Sequence, residues 1–392
     1  MSLKGLTVGV VFGSRSVEHE ISVITACQVM PLLRGLGASV VPLYITKQGR
    51  WLTGPGLTDL GSFRESLPED GDAVELDLDQ GRLRTPATRW GRPRDLGVEV
   101  IFPILHGTFG EDGSLAGLAA MARLPQVGSD VLSSALAMDK LRAKAVFLDA
   151  GLPVVPGRGA RSAADAAEVA EGLGYPVVVK PNRGGSSIGV GLAADPSELE
   201  QAAGQALELD TWILIEPAVP GAADLNCAVK RGAPRCSEVE RPVKSSGLLS
   251  YADKYSGPAK TLGEGAGKAA PGAKAGTGDG RRQLPADIPA SIRAEVQRLA
   301  LAAFDALGCA GTARVDFLLA SSGEVFLNEV NTIPGSLAFY LWEASGIPFA
   351  QLIEELVKEA LGVPDPRLLS LPGNLLAAGA PLAKATPPVE RP

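Results

Sequence analysis

Apolar positions along the chain fall into two rhythms. Residues 6–12 form a strand-length apolar run, 18–34 carry helical spacing, 39–44 form a second strand, and 98–105 are an apolar run ending in His-Gly. This βαβ-like alternation predicts a first, α/β domain over residues 1–128. Residues 46–94 mix glycine, proline and charge with short alternating runs, and read as peripheral strands and loops. Residues 133–150 have the periodicity of one helix, stopped by Gly151-Leu152-Pro153, in a second domain over 129–220. A short strand at Val154, a helix over 163–173, a strand over 176–180, a glycine-rich turn and a strand over 213–216 continue it. Runs at 224–229 and 238–243, a helix over 292–307, two more strands and a helix over 349–361 predict a third, α+β domain over 221–363. Residues 263–282 are nearly all Gly, Ala, Lys, Asp and Arg, and 364–392 are rich in Pro, Leu and Ala without periodicity. A mobile loop and a disordered tail are expected there.

Composition removes several classes of function. A chain of 392 residues with net charge −7, and no basic run interleaved with aromatics, offers nothing to nucleic acid. Any phosphate binding must be local. Cys27, Cys227, Cys236 and Cys309 lack CxxC spacing and have only His19 and His106 for company, so neither a disulfide framework nor a zinc site is supported. The N-terminal apolar run is too short for a signal peptide before Arg15 and Glu18, and no stretch approaches the roughly 20 apolar residues of a membrane span. A cytoplasmic protein without a membrane partner is expected.

The chemistry concentrates in the last two strands. Because side chains alternate faces, Arg314 and Asp316 project to one side of the first, and Glu329 and Asn331 share a side of the second. Two carboxylates and an amide oxygen suit magnesium, which prefers hard oxygen ligands and keeps water or phosphates in its other positions. A cross-strand salt bridge is the plain alternative. Lys180, followed by Pro181-Asn182-Arg183-Gly184-Gly185-Ser186-Ser187, ends a buried strand in a turn whose N–H groups, with the Ser186 and Ser187 hydroxyls, could approach phosphates. The stretch is not a Walker A sequence, and a hairpin flap over a nucleotide is the more natural geometry. Glu216-Pro217-Ala218-Val219 closes an apolar strand as a hinge whose backbone could read an adenine edge, with Asp224 offering oxygens to a ribose. Lys140 reads as a lone cation on an apolar helix, in the manner of a snorkelling surface lysine.

Seven segments in order resemble the D-alanine–D-alanine ligases, a family with the ATP-grasp fold. They are Gly13-Ser14-Arg15-Ser16-Val17-Glu18-His19-Glu20-Ile21-Ser22, His106-Gly107-Thr108-Phe109-Gly110-Glu111-Asp112-Gly113, Ala135-Leu136-Ala137-Met138-Asp139-Lys140, Lys180-Pro181 with Gly185-Ser186-Ser187, residues 251–255, Ala313-Arg314-Val315-Asp316-Phe317, and Asn328-Glu329-Val330-Asn331-Thr332-Ile333-Pro334-Gly335. The resemblance implies a three-domain architecture with the nucleotide held between the central and C-terminal domains. It implies ATP-dependent joining of two D-alanines through an acyl phosphate, for peptidoglycan precursor synthesis. ATP and magnesium would be the cofactors, with two ions per site and manganese as an alternative, and a homodimer is the candidate assembly.

By the same resemblance Glu18 holds the ammonium of the first D-alanine and His106 lies near its carboxylate. Lys140, Lys180 and Lys254 reach the phosphates, with Ser186 and Ser187 in the phosphate loop and Asn328 beside the metal strand. Ser186 and Tyr255 link the first-site glutamate to a closing loop. Arg314 and the Gly335 N–H stabilise the oxyanion, while Asp316, Glu329 and Asn331 bind magnesium. Three departures stand out. Ser336-Leu337-Ala338-Phe339-Tyr340 runs straight into Leu341-Trp342-Glu343, where the family has a longer stretch. Ser336 and the Leu337 N–H are then expected to hold the second D-alanine's carboxylate. Ala222-Ala223-Asp224 replaces the usual Arg-Glu, and residues 263–282 enlarge the loop after Tyr255. A ligase for D-lactate, D-serine or another D-amino acid stays open, as does a nucleotide-binding regulator without ligase activity.

Overall fold

The first apolar run becomes β1 (Thr7–Gly13), followed by α1 (His19–Gly35) and β2 (Ser39–Ile45). The computed structural model describes residues 3–64, 66–87, 91–233, 235–243 and 282–363. Peripheral strands β3 (Trp51–Thr53), β4 (Asp72–Ala73), β5 (Glu75–Asp77), β6 (Arg82–Thr85) and β7 (Arg94–Asp95) occupy the stretch expected to hold them, and β8 (Val100–Ile104) completes the sheet. Its order is β4-β3-β2-β1-β8, with β1 parallel to both β2 and β8. The chain leaves β1 toward β2 on one side and returns as β8 on the other. A crevice opens where such neighbours diverge, beyond their carboxyl ends, and here it lies between residues 13–18 and 105–113. Helix α2 (Ser114–Met121) follows the second of these loops.

The single helix expected over 133–150 is two, α3 (Val131–Met138) and α4 (Lys140–Asp149). Asp139 separates them with φ −87° and ψ 100°, and its carboxylate accepts the Arg142 N–H as an N-cap. An Asp here competes for the backbone of the next turn more effectively than apolar periodicity reveals. The break makes Lys140 the first residue of a helix.

A second sheet joins β9 (Arg158–Ala160), β10 (Val177–Pro181), β11 (Gly191–Ala193) and β12 (Ile213–Pro217) in the antiparallel order β11-β10-β12-β9. Val154 contributes only an isolated bridge to Leu327. Helices α5 (Ala163–Leu173) and α6 (Pro196–Leu209) cover the sheet through Ala166, Ala170, Leu199 and Ala203. Helix α6 was not expected, although Asp195 caps it and Pro196 sits at its first turn.

The third sheet runs β15-β14-β13-β16-β17, with β13 (Ala223–Lys230), β14 (Cys236–Pro242), β15 (Arg282–Gln283), β16 (Thr312–Leu319) and β17 (Val325–Asn331), all antiparallel. Leu225, Cys227, Val229, Val315, Phe317 and Leu327 form its apolar face against α7 (Ala290–Ala306). Ala137, Ala143 and Phe147 of α3 and α4 join this core. The opposite face is polar, as an antiparallel sheet permits. After a short 3-10 turn (Gly335–Ala338), α8 (Phe339–Ala344) and α9 (Phe349–Gly362) return against α1, packing Trp342 and Leu352 with Val23 and Met30. The described residues up to Gly362 thus pack as one compact unit. No helix among the described residues is long and apolar enough to cross a membrane. Lys254, Tyr255, residues 263–281 and the tail 364–392 lie outside the described residues.

Candidate active site

Three loops meet at the crevice of the first sheet. Glu18, just ahead of α1, is buried and accepts a hydrogen bond from the Ser186 hydroxyl of the glycine-rich turn. Ser186 and Ser187 have φ of +54° and +58°, so the turn is wound left-handed. A methyl group at Gly107 would lie 2.9 Å from Glu18 Oε2 and one at Gly185 would lie 3.1 Å from it. Both loops pack closely on this carboxylate, and at Gly107 the φ of +70° also disfavours a side chain. His106 is fully buried, with Nδ1 2.8 Å from the Ile333 carbonyl and Nε2 3.4 Å from Thr25 Oγ1. Burial lowers its pKa, and a carbonyl only accepts, so the neutral ring carries its proton on Nδ1.

The polar face of the third sheet brings the expected metal ligands together. Asp316 pairs with Glu329, and Arg314 with Asn331, across β16 and β17. Leu327 pairs with Phe317 but Glu329 with Asp316, which leaves Asn328 as the extra residue of a bulge. Arg314 donates twice to Asp316, at 2.7 Å each, and Asn331 Nδ2 donates to Asp316 Oδ2 at 3.1 Å. Burial alone would lower the Arg314 pKa, but Asp316 outweighs it and holds the guanidinium charged. Register carries the polar row onward from Asp316 to Asn226 and then Glu240, which accepts from Asn226 Nδ2 at 3.1 Å and Tyr340 Oη at 2.9 Å. Among the described residues no three His, Cys, Asp or Glu side chains form a metal-holding group. The set here is two carboxylates and an amide on one face, hard oxygen donors of the kind magnesium takes.

The lysines connect the second sheet to this face. Lys140 Nζ donates to the Gly184 carbonyl at 2.7 Å and lies 4.0 Å from Glu329 Oε2, with its side chain 12% exposed. It is therefore no snorkelling surface lysine. Lys180 donates to Glu216 and, at 3.1 Å, to Asn328 Oδ1.

Residues 7–129 match the family described as D-ala D-ala ligase N-terminus, and residues 146–267 and 272–358 match D-ala D-ala ligase C-terminus. The chain belongs to the D-alanine–D-alanine ligase family. It is 32% identical to the D-alanine–D-alanine ligase of Thermosipho melanesiensis, over 95% of this chain and 98% of that one. It is 36% identical to D-alanine–D-alanine ligase A of Salmonella typhimurium, over 91% and 96%. Among solved structures, the D-Ala:D-Ser ligase VanG of Enterococcus faecalis superposes with a TM-score of 0.75 at 29% identity, covering 91% of this chain and all of that one. The D-alanine–D-alanine ligase of Coxiella burnetii gives 0.73 at 26%, covering 91% and 94%. The family's ATP-grasp frame is thus the mixed α/β arrangement of the three sheets above.

Two expected ligase groups are placed differently from the sequence reading. Glu216 was expected to act through hinge backbone, yet its buried carboxylate is the shared partner of Lys180 and Lys144, whose Nζ is 2.9 Å from Oε2. Burial pushes the Glu216 pKa up, and the two ammonium groups more than reverse it. Lys144 also donates to the Val155 carbonyl at 3.0 Å. Lys144 carries no sequence motif of its own, although it stands one helical turn after Lys140. In the hinge, the Ala218 N–H donates to Pro176 O, Val219 O accepts from Ala222, and Pro217 ends β12. Asp224 lies on β13 two residues before Asn226, on the polar face.

The Leu337 N–H is the clearer correction. It donates to Pro334 O at 2.7 Å, and its side chain is in the core, so it closes a turn instead of facing the cleft. The cause is the shortened connection, which turns back through Ser336, Leu337 and Ala338 at φ +48°, +55° and +50°. The Ser336 N–H meets Thr25 Oγ1 at 3.3 Å. A methyl group at Gly335 would meet nothing within 4 Å, so its backbone borders open space.

Proposed function

We propose that this chain is a cytoplasmic D-alanine–D-alanine ligase, joining two D-alanines at the expense of ATP for peptidoglycan precursors. The observation that carries the reading is convergence: Glu18 meets Ser186, and Lys140 spans from the glycine-rich turn to Glu329. Groups from all three sheets thereby address one cleft. The proposed domains are 1–128, 129–220 and 221–363. The nucleotide lies between the second and third, its base against Glu216, Pro217 and Val219, its ribose toward Asp224, and its phosphates near Lys140, Lys180, Lys254, Ser186 and Ser187.

Glu18 takes the ammonium of the first D-alanine, and His106 lies by its carboxylate. That carboxylate attacks the γ-phosphate, ADP departs, and the amine of the second D-alanine displaces phosphate from the acyl carbon. Asp316, Glu329 and Asn331 would hold magnesium, which when bound offsets the charge of the phosphates. Arg314 and the Gly335 N–H face the oxyanion of the tetrahedral intermediate. Tyr255 and Ser186 tie loop closure to the first-substrate pocket, protecting the acyl phosphate from water. A homodimer is the proposed assembly.

Phosphate release with ATP, magnesium and a panel of D-alanine, D-serine and D-lactate tests the reading. Turnover with D-alanine alone is expected. The similarity to VanG favours D-serine as a second acceptor, and preference for D-serine over D-alanine would replace the acceptor assignment. Absence of turnover with every acceptor would point to the regulator without ligase activity.

A further inference from the structure

One residue near the cleft, Ile333, is gripped at both of its backbone polar groups. Its N–H donates to Glu111 Oε1 at 3.0 Å and its carbonyl accepts from His106 Nδ1 at 2.8 Å. The other oxygen of Glu111 accepts the Gly107 N–H at 2.9 Å. From the opposite side, Thr25 Oγ1 accepts the Ser336 N–H at 3.3 Å. The segment held in this way runs from the metal-face residue Asn331 through Gly335 to Ser336. Neighbouring Asp112 supplies a contrast, since it accepts from Phe109 and Ser114 only two or three residues away and merely shapes its own loop. Glu111 instead reaches across 222 residues.

We propose that Glu111 is a positioning residue that fixes the 331–336 turn relative to the Glu18 pocket. It thereby sets the distance between the carbonyl carbon of the first substrate and the groups that stabilise and attack it. A carboxyl group is needed because both of its oxygens accept from N–H donors. An amide in its place would turn its NH2 toward one of them, and an aspartate is one methylene too short to span both. Thr25 braces the same turn at its far end. The inference rests on the ligase reading, whose failure appears separately as a wild-type enzyme without turnover.

The test measures steady-state kinetics of Glu111→Gln and of the near-isosteric Thr25→Val in the full chain, with calorimetric binding of ATP and of D-alanine to the first site. A misplacement on the order of 1 Å costs about 100-fold. Glu111→Gln is therefore expected to lower kcat over the second D-alanine's KM by about 10- to 100-fold, with ATP and first-site affinities held within about threefold. Thr25→Val should give a smaller loss of the same selectivity, and it carries the test if Glu111→Gln fails to fold. Equal losses in the acceptor kcat/KM and in both affinities, or unchanged acceptor kinetics in a folded variant, would overturn the role.

Discussion

The two walls of the cleft are built on opposite plans. The wall from the first sheet holds most of its polar groups against backbone: His106 and Glu111 on the C=O and N–H of Ile333, Thr25 on the Ser336 N–H, and His19 on the Ser14 carbonyl. The wall from the second and third sheets holds charge against charge, in Arg314–Asp316, Lys180–Glu216 and Lys144–Glu216. Backbone partners are fixed by the fold, so the first wall can define a shape. Side-chain ion pairs can exchange partners, so the second can give up Asp316 or Lys180 to a metal or a phosphate while remaining balanced. Shape comes from one wall and exchangeable charge from the other.

The contrast predicts where substitutions hurt catalysis and where they hurt folding. Asp316→Ala should lose on the order of 1,000-fold in turnover with the fold retained, because it removes a proposed ligand and frees an arginine that sits at the edge of the cleft. Phosphate release and circular dichroism check the two halves. Glu216→Gln should act on both: it leaves Lys144 and Lys180 without their buried counter-charge, costing about 3–5 kcal/mol in urea unfolding, and it weakens ATP binding. Loss of ATP affinity at unchanged stability would mean that Glu216 contacts the nucleotide and does not brace the lysines. Glu18→Gln should raise the first D-alanine's KM about tenfold or more while ATP affinity holds, since it neutralises the ammonium's partner.

A pH experiment probes the first wall. Burial, reinforced by the charge of Glu18, raises the Glu111 carboxyl to about 8, against its backbone donors and Arg314. A carboxyl whose folded pKa lies above its unfolded value near 4.5 contributes stability that is fully present below 4.5 and is lost as pH climbs through about 8. Unfolding free energy should therefore fall between pH 5 and 8 by at most about 1.4 kcal/mol per unit. In Glu111→Gln this slope should flatten. The neighbouring His106 works in the opposite direction: burial, only partly offset by Glu18, lowers its pKa, so its contribution makes stability rise as pH climbs toward 6.5 and must be separated in the same variant.

How far sequence alone reached differs between the walls for the same physical reason. The third-sheet face was legible because strand alternation assigns Arg314, Asp316, Glu329 and Asn331 to one side whatever else the chain does. Even the bulge leaves a trace, in the spacing of buried Val325, Leu327 and Val330, two residues and then three. The position of Lys140 was not legible, because helical periodicity runs through Asp139 and hides the cap. In the sequence Glu111 stands out only as part of a motif. Its partners are peptide groups, one of them 222 residues away, and no side-chain pattern can announce those.

The smallest predicted effect separates a hydroxyl from a backbone shape. Ser336 is proposed to hold the second D-alanine's carboxylate, and it sits at φ +48° in a run of three left-handed residues without a glycine. Removing one hydrogen bond to a charged group costs about 1.5–3 kcal/mol, so Ser336→Ala should raise the acceptor's KM about tenfold or more, with ATP affinity unchanged. Alanine keeps the same backbone cost, and stability should stay within about 0.5 kcal/mol. Ser336→Gly also lacks the hydroxyl but relieves the left-handed conformation, which should stabilise the fold by up to about 1 kcal/mol. The two variants should therefore match in acceptor KM and differ in urea midpoint. If glycine alone weakens the acceptor, the strained turn and not the hydroxyl selects it, and the shape-defining wall extends to the acceptor site as well.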